Sequence, residues 1–376
     1  MRSAPSARVS LARSFPTPRA PVLALAALVA LAACGGEDPL PPLTFSWVAL
    51  PGAVCSDGSP TGIGVEPGPG PSPDVLVFLN GGGACWDALT CFTLRTATAG
   101  PYGAAQLQAD VRSLRTGSIF DRTAPGNPYA DFTFVFVPYC TGDVHAGNAV
   151  RTYPLAPRAW HHKGAANLSA AFGWLATGIP EPARVVVAGA SAGGVGSLHA
   201  FDLAKGTWPS ARGYLVDDSG PPLDEIPQAT IDLWYQEWSM EDVVTPLCGA
   251  PCQQDLSLTL DALAQKYPDD RLALLSSTQD STIRFFFGDA ATLTPMDAAV
   301  FEAGVLGLAG KMETLGNAHA FLVPGTGHTM LGSPGAFTSA GIGLFGWLRQ
   351  QVEDDPDWGQ AITTAAAGVA PVAAAR

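Results

Sequence analysis

Ser191 stands in Gly189-Ala190-Ser191-Ala192-Gly193, with glycine two places before and two after the hydroxyl. That spacing suits a serine on a sharp strand-to-helix turn, where backbone passes so close that bulk at either flanking position would collide. The preceding Val185–Ala188 run is apolar and strand-like, and Gly194–Leu203 after it has helical spacing, so the turn has its required context. A serine alcohol attacks well only when a base takes its proton. Six histidines are available: His145, His161, His162, His199, His319 and His328. His328, in the segment PGTGHT, follows the last strand-like run and precedes the final helical one, so a loop can carry it to the strand end occupied by Ser191. His319 precedes that strand, His161 and His162 precede a helix, and His199 falls within the helix after Ser191. Asp280, in SSTQDS after the strand-like Leu272–Leu275, would orient the imidazole and gives the order Ser191, Asp280, His328. Asp218, at the end of the preceding strand in VDDSG, is its rival.

Attack of an alkoxide on a carbonyl places negative charge on an oxygen, and backbone N–H groups aimed at it can each contribute ~3 kcal/mol in the transition state. The N–H of Ala192, next after the serine, is one donor. A second is expected from Asn80-Gly81-Gly82-Gly83-Ala84-Cys85-Trp86, which directly follows the strand-like Val75–Leu79 and whose glycines let backbone approach a ligand closely.

These residues must be brought together by the elements around them. Nearly unbroken apolar runs of strand length occur at Val75–Leu79, Phe132–Val137, Val185–Ala188, Tyr214–Val216, Leu272–Leu275 and Phe321–Val323, as in strands buried on both faces. Helical spacing fills the intervals at Gly164–Ala176, Gly194–Leu203, Leu256–Lys266, Met296–Ala309 and Gly335–Gln351. The alternation predicts an α/β fold, a mostly parallel central sheet with helices on both faces and the ligand crevice at the carboxyl ends of the strands. Residues 51–73 are so rich in Gly, Pro and Ser that loops or short edge strands are expected there. Trp234, Tyr235 and Trp238 recur at helical spacing, which favours core, although they could line a cleft.

The 376 residues carry 20 Lys+Arg against 33 Asp+Glu, a net charge of −13 that disfavours any nucleic-acid partner. Four of those arginines precede the apolar run Val22–Ala33, which is too short to span a bilayer and reads as a secretory signal over residues 1–33. Leu31-Ala32-Ala33-Cys34-Gly35 resembles a bacterial lipobox, making Cys34 the expected lipidation site. Residues 34–44 then form a tether, 45–362 the folded domain, and 363–376 a low-complexity tail. Without the signal the net charge is nearer −17. The expected location is extracytoplasmic, on a bacterial membrane, most naturally the outer membrane, on its periplasmic or cell-surface side. Six cysteines remain, an even number for an oxidising compartment. Close spacing pairs Cys85 with Cys91 and Cys248 with Cys252, leaving Cys55 with Cys140. Zinc at Cys248 and Cys252 would lack further ligands nearby, and no metal is expected.

Taken together, FLNGGGACWD (78–87), FVPYCTGDVHAGN (136–148), AWHHKGAANLSAAFGWL (159–175), VVVAGASAGGVGS (185–197), SSTQDSTIRFF (276–286) and GTGHT (325–329) resemble the pectin acetylesterase/Notum family of α/β hydrolases, particularly its bacterial members. The resemblance implies the α/β-hydrolase fold, oxygen-ester hydrolysis, and nucleophile, acid and base roles for Ser191, Asp280 and His328. It assigns Gly82, Gly83 and Ala192 to the oxyanion positions. Two departures bear on substrate. Ala84 and Cys85 separate the glycines from Trp86, where plant-like members have Trp directly after the glycines. The acid segment also lacks the aromatic residue that those members place before their aspartate.

The expected activity is that of a membrane-anchored serine carboxylester hydrolase without cofactors, a monomer that removes acyl groups, acetyl foremost, from a glycan or other O-acyl ester. Its charge would repel polygalacturonate unless the cleft is locally basic. The competing expectations are a non-catalytic glycan- or acyl-ligand-binding lipoprotein on the same scaffold, and a serine hydrolase of other bond preference such as a depolymerase or peptidase.

Overall fold

The computed structural model describes residues 43–70 and 74–364. The expected signal, the lipidation site Cys34 and the tail from 365 onward lie outside the described residues.

Nine strands form the central sheet: β1 (Ser46–Val54), β2 (Pro60–Glu66), β3 (Val75–Leu79), β4 (Thr133–Val137), β5 (Arg184–Ala190), β6 (Arg212–Asp218), β7 (Arg271–Ser277), β8 (Ala318–Val323) and β9 (Ala361–Ile362). In space they run β1-β2-β4-β3-β5-β6-β7-β8-β9. β2 is antiparallel to both of its neighbours, and every pairing from β4 to β9 is parallel. This order, with its single reversed strand, is the α/β-hydrolase arrangement.

Alternate residues of the central strands supply two separate cores, which is why those strands read as unbroken apolar runs. Val75, Val77, Leu79, Val185 and Val187 face one side, where they pack with Leu168 and Phe172 of the helix Gly164–Gly178 and with Leu198 and Phe201 of the helix Ala192–Thr207. Leu76, Phe78, Val186 and Ala188 face the other, against Leu107 and Val111 of the helix Ala104–Leu114 and Leu344, Trp347 and Leu348 of the helix Leu344–Val352.

Two expectations are corrected. β2 is no loop or edge strand: it is an interior strand, buried at every residue but its first. Its glycines are fitted to their neighbours, since a Cβ on Gly62 would overlap the Val48 carbonyl oxygen and one on Gly64 would press into the Leu107 side chain. The final helix also starts later than its spacing predicts, at Leu344. Before it, Thr338–Ser339 and Ile342–Gly343 pair across Ala340 and Gly341, both at positive φ, and Ser339 Oγ donates to the carbonyls of Leu322 and Ala361. That anchor holds the segment extended along the sheet edge.

All three cysteine pairs are disulfides: Cys55–Cys140, Cys85–Cys91 and Cys248–Cys252. The first ties the segment after β1 to the segment after β4, and the second closes the loop after β3, both at the carboxyl end of the sheet.

Candidate active site

Ser191 sits between β5 and the helix Ala192–Thr207 with φ 59° and ψ −121°, outside the usual regions for an L-residue. The two flanking glycines make this turn possible. A Cβ on Gly189 would overlap the carbonyl oxygen of Gly193, and one on Gly193 would overlap that of Leu79. The Ser191 N–H donates to the Asp218 carbonyl (2.7 Å), and the Ser191 carbonyl accepts from Val195 N–H (3.2 Å), opening the helix. The first helical N–H groups therefore point into the site with the positive end of the helix dipole.

His328 and Asp280 come from the loops after β8 and β7. Three backbone bonds lace those loops together: Thr278 N–H to Val323 O, Gln279 N–H to Gly325 O and Ser281 N–H to Thr326 O. His328 Nδ1 lies 2.7 Å from Asp280 Oδ2. The other carboxylate oxygen accepts N–H groups from Thr282 (2.9 Å) and Ile283 (3.1 Å), so the fully buried Asp280 is held by three hydrogen bonds. The rival carboxylate, Asp218, does not bond the imidazole: its Oδ2 accepts the N–H groups of Met330 and Leu331.

The glycine loop is braced from several sides. Gly82 and Gly83 have φ +153° and +74°, and Gly82 O accepts Thr98 N–H (2.7 Å). Tyr139 Oη donates to Gly83 O and accepts Val144 N–H, both at 2.8 Å. His145 Nε2 donates to Asn80 O (2.9 Å), Trp238 Nε1 to Cys85 O (2.9 Å), and the Cys85–Cys91 disulfide closes the far end. Burial draws the His145 imidazole down to about 4, so at neutral pH it is an uncharged donor. Among the described residues, the N–H groups of Gly82, Gly83 and Ala192 have no acceptor. Tyr139, His145, Trp238 and Thr98 were not singled out in the sequence as loop supports, because no spacing rule marks a residue that acts through a backbone carbonyl.

Ser191 opens onto an apolar pocket whose walls include Val144, Val195, Trp234, Ile283 and Phe286. A second apolar cavity, bounded by Leu198, Pro221 and Met240, shares Val195, Trp234 and Phe287 with the first. Trp234 thus lines the cleft, whereas Trp238 stacks on it (5.4 Å, interplanar 8°) within the core. Among the described residues, no cluster of three His, Cys, Asp or Glu side chains could hold a metal ion.

A pectinacetylesterase family profile matches residues 41–265, more than half of the chain. The chain belongs to the pectinacetylesterase family. As a member it is a carboxylic ester hydrolase acting on acylated substrates. The matched span includes Ser191 and the glycine loop; Asp280 and His328 lie beyond it. In fold the pectinacetylesterase chain is similar to the Wnt deacylase Notum from Drosophila, with a TM-score of 0.61 at 19% identity, over 87% of this chain and 97% of that one.

Proposed function

We propose that the protein is a serine carboxylester hydrolase working through an acyl-enzyme. Ser191 Oγ attacks the ester carbonyl carbon while His328 takes its proton, and Asp280 holds the imidazole in the tautomer with Nδ1 protonated. The oxyanion is received by N–H groups of Ala192 and of Gly82 or Gly83. His328 returns its proton to the leaving alcohol. It then deprotonates a water, which attacks the acyl carbon and releases the acid with Ser191 restored. The observation that carries this reading is the 2.7 Å contact between His328 and a buried Asp280, on a loop whose next residues are bonded to Asp218 and Ser219 beside the serine turn.

The pocket walls named above carry no charge, which suits an acyl group and opposes an anionic one. Acetyl is the proposed acyl group, and the alcohol is a glycan or another O-acylated molecule. Hydrolysis of 4-nitrophenyl acetate tests the reading, with Ser191→Ala expected to fall by about four to six orders of magnitude in kcat. Turnover equal to that of the unaltered protein would exclude this serine.

An extracytoplasmic, lipid-anchored location is proposed from the sequence before Leu43, and the three disulfides support an oxidising compartment. Cys34→Ala should move the protein from the membrane to the soluble fraction. Retention on the membrane by that variant would count against the anchor.

A further inference from the structure

Asp218 is wholly buried at the end of β6 and takes no part in the proton transfers above. Its oxygens nevertheless meet both halves of the site. The backbone carbonyl accepts the N–H of Ser191 (2.7 Å), while carboxylate Oδ2 accepts the N–H groups of Met330 (2.7 Å) and Leu331 (2.8 Å). Oδ1 accepts the hydroxyl of Ser219 (3.2 Å), and that hydroxyl in turn accepts the N–H of Thr329 (3.1 Å). Three consecutive N–H groups immediately after His328 therefore end on Asp218 and Ser219. Thr329 and Ser219 are both at positive φ (60° and 67°), so each side of this junction is bent away from ordinary backbone to make the bonds.

Asp280 fixes the rotation of the imidazole through Nδ1, but a side-chain bond alone does not set how far the backbone of His328 stands from the serine. We propose that Asp218 is a positioning residue, tying the loop that carries His328 to the turn that carries Ser191 and thereby setting the reach of the imidazole to the hydroxyl. The inference rests on the catalytic reading above. Its chemistry is acceptance of N–H groups, which a neutral amide oxygen in the same place can also provide. A misplacement of about 1 Å between base and nucleophile can cost roughly 10²-fold in rate.

The experiment compares Asp218→Ala, Asp218→Asn and Ser219→Ala in the full chain, with thermal melting to establish folding. Asp218→Ala is expected to lose about 10- to 100-fold in kcat with KM changed less than about threefold, because acyl binding is untouched. The rate at which a fluorophosphonate labels Ser191 should fall in parallel. Asp218→Asn should recover kcat to within about fivefold of the unaltered protein, and Ser219→Ala, which removes one acceptor, should lie between them. Folded Asp218→Ala with unchanged kcat and labelling would overturn the proposal, as would an Asn variant as impaired as the Ala one. Should Asp218→Ala not fold, unchanged kcat in Ser219→Ala decides against it. These outcomes differ from failure of the catalytic reading, in which the unaltered protein and Ser191→Ala would hydrolyse esters alike.

Discussion

His328 Nδ1 and Asp280 Oδ2 lie 2.7 Å apart although 48 positions separate them in the chain, and the remaining carboxylate oxygen is occupied by the N–H groups of Thr282 and Ile283. The carboxylate therefore cannot swing away from the imidazole without giving up bonds. Asp280→Asn would keep the shape but turn an amide N–H toward Nδ1, favouring the tautomer that presents a proton, not a lone pair, to Ser191. We expect kcat to fall about 10⁴-fold with KM little changed. Steady-state kinetics on 4-nitrophenyl acetate reads this directly, and an Asn variant within tenfold of the unaltered protein would remove Asp280 from the mechanism.

Tyr139 holds the glycine loop through Gly83 O and holds the following loop through Val144 N–H. Removing the hydroxyl leaves a buried donor and acceptor unpaired, at a cost of about 1–3 kcal/mol. Tyr139→Phe should therefore lower the melting temperature. It should also reduce kcat more than it raises KM, since the loop it braces is proposed to meet the transition state. A stable, fully active Phe variant would show that the other braces suffice.

Trp234 stands between the pocket at Ser191 and the apolar cavity behind it. Trp234→Ala should join the two spaces and move the preferred 4-nitrophenyl ester from acetate toward butyrate and hexanoate. A chain-length profile identical to that of the unaltered protein would place the acyl group elsewhere.

Stability should decline with pH just above neutrality. Burial lifts the Asp217 carboxyl to about 8, and among the described residues its Oδ2 has no partner. Unfolded, the group ionises near ~3.9. Between those values the folded chain holds the extra proton, so stability falls as pH rises and levels off above 8. Asp143 and Asp218, lifted by burial to about 6, act in the same sense up to that pH. The buried imidazoles of His145, His162 and His199, drawn down to about 4, 3 and 3, act oppositely: below roughly 6.5 the unfolded chain holds the extra protons, and stability rises with pH there. Of these groups only Asp217 still acts between about pH 6.5 and 8. The melting temperature should fall across that window, and Asp217→Asn should flatten it. An unaltered slope in the variant would assign the decline to another group.

Strands buried on both faces were legible because their apolar runs owe nothing to a particular neighbour: all five residues of β3 are buried, whichever face each one meets. β2 was illegible because its glycines look like punctuation until the Val48 carbonyl and the Leu107 side chain are beside them. The late start of the last helix was hidden likewise, since Ser339 is held by carbonyls of Leu322 and Ala361, some twenty residues away on either side. At the site, the glycine-flanked serine carries its geometry in its own letters. The two aspartates do not: Asp218 and Asp280 both follow strands, and only the lacing of the loops after β7 and β8 puts Asp280 against the imidazole. The braces on the glycine loop act on backbone oxygens, which every residue possesses, so nothing in their spelling announces them.

β1 is antiparallel to β2, and β2 to β4, so β1 points the same way as the parallel strands. Leu43 consequently enters at the floor of the sheet, bonded to Pro67 near the level at which β3, β4 and β5 begin. Ser191 lies at the opposite rim, about 20 Å farther on at ~3.3 Å per residue. Whatever precedes Leu43 therefore joins the domain on the side of the sheet away from Ser191, and an attachment made there leaves the rim that carries the serine open to solvent.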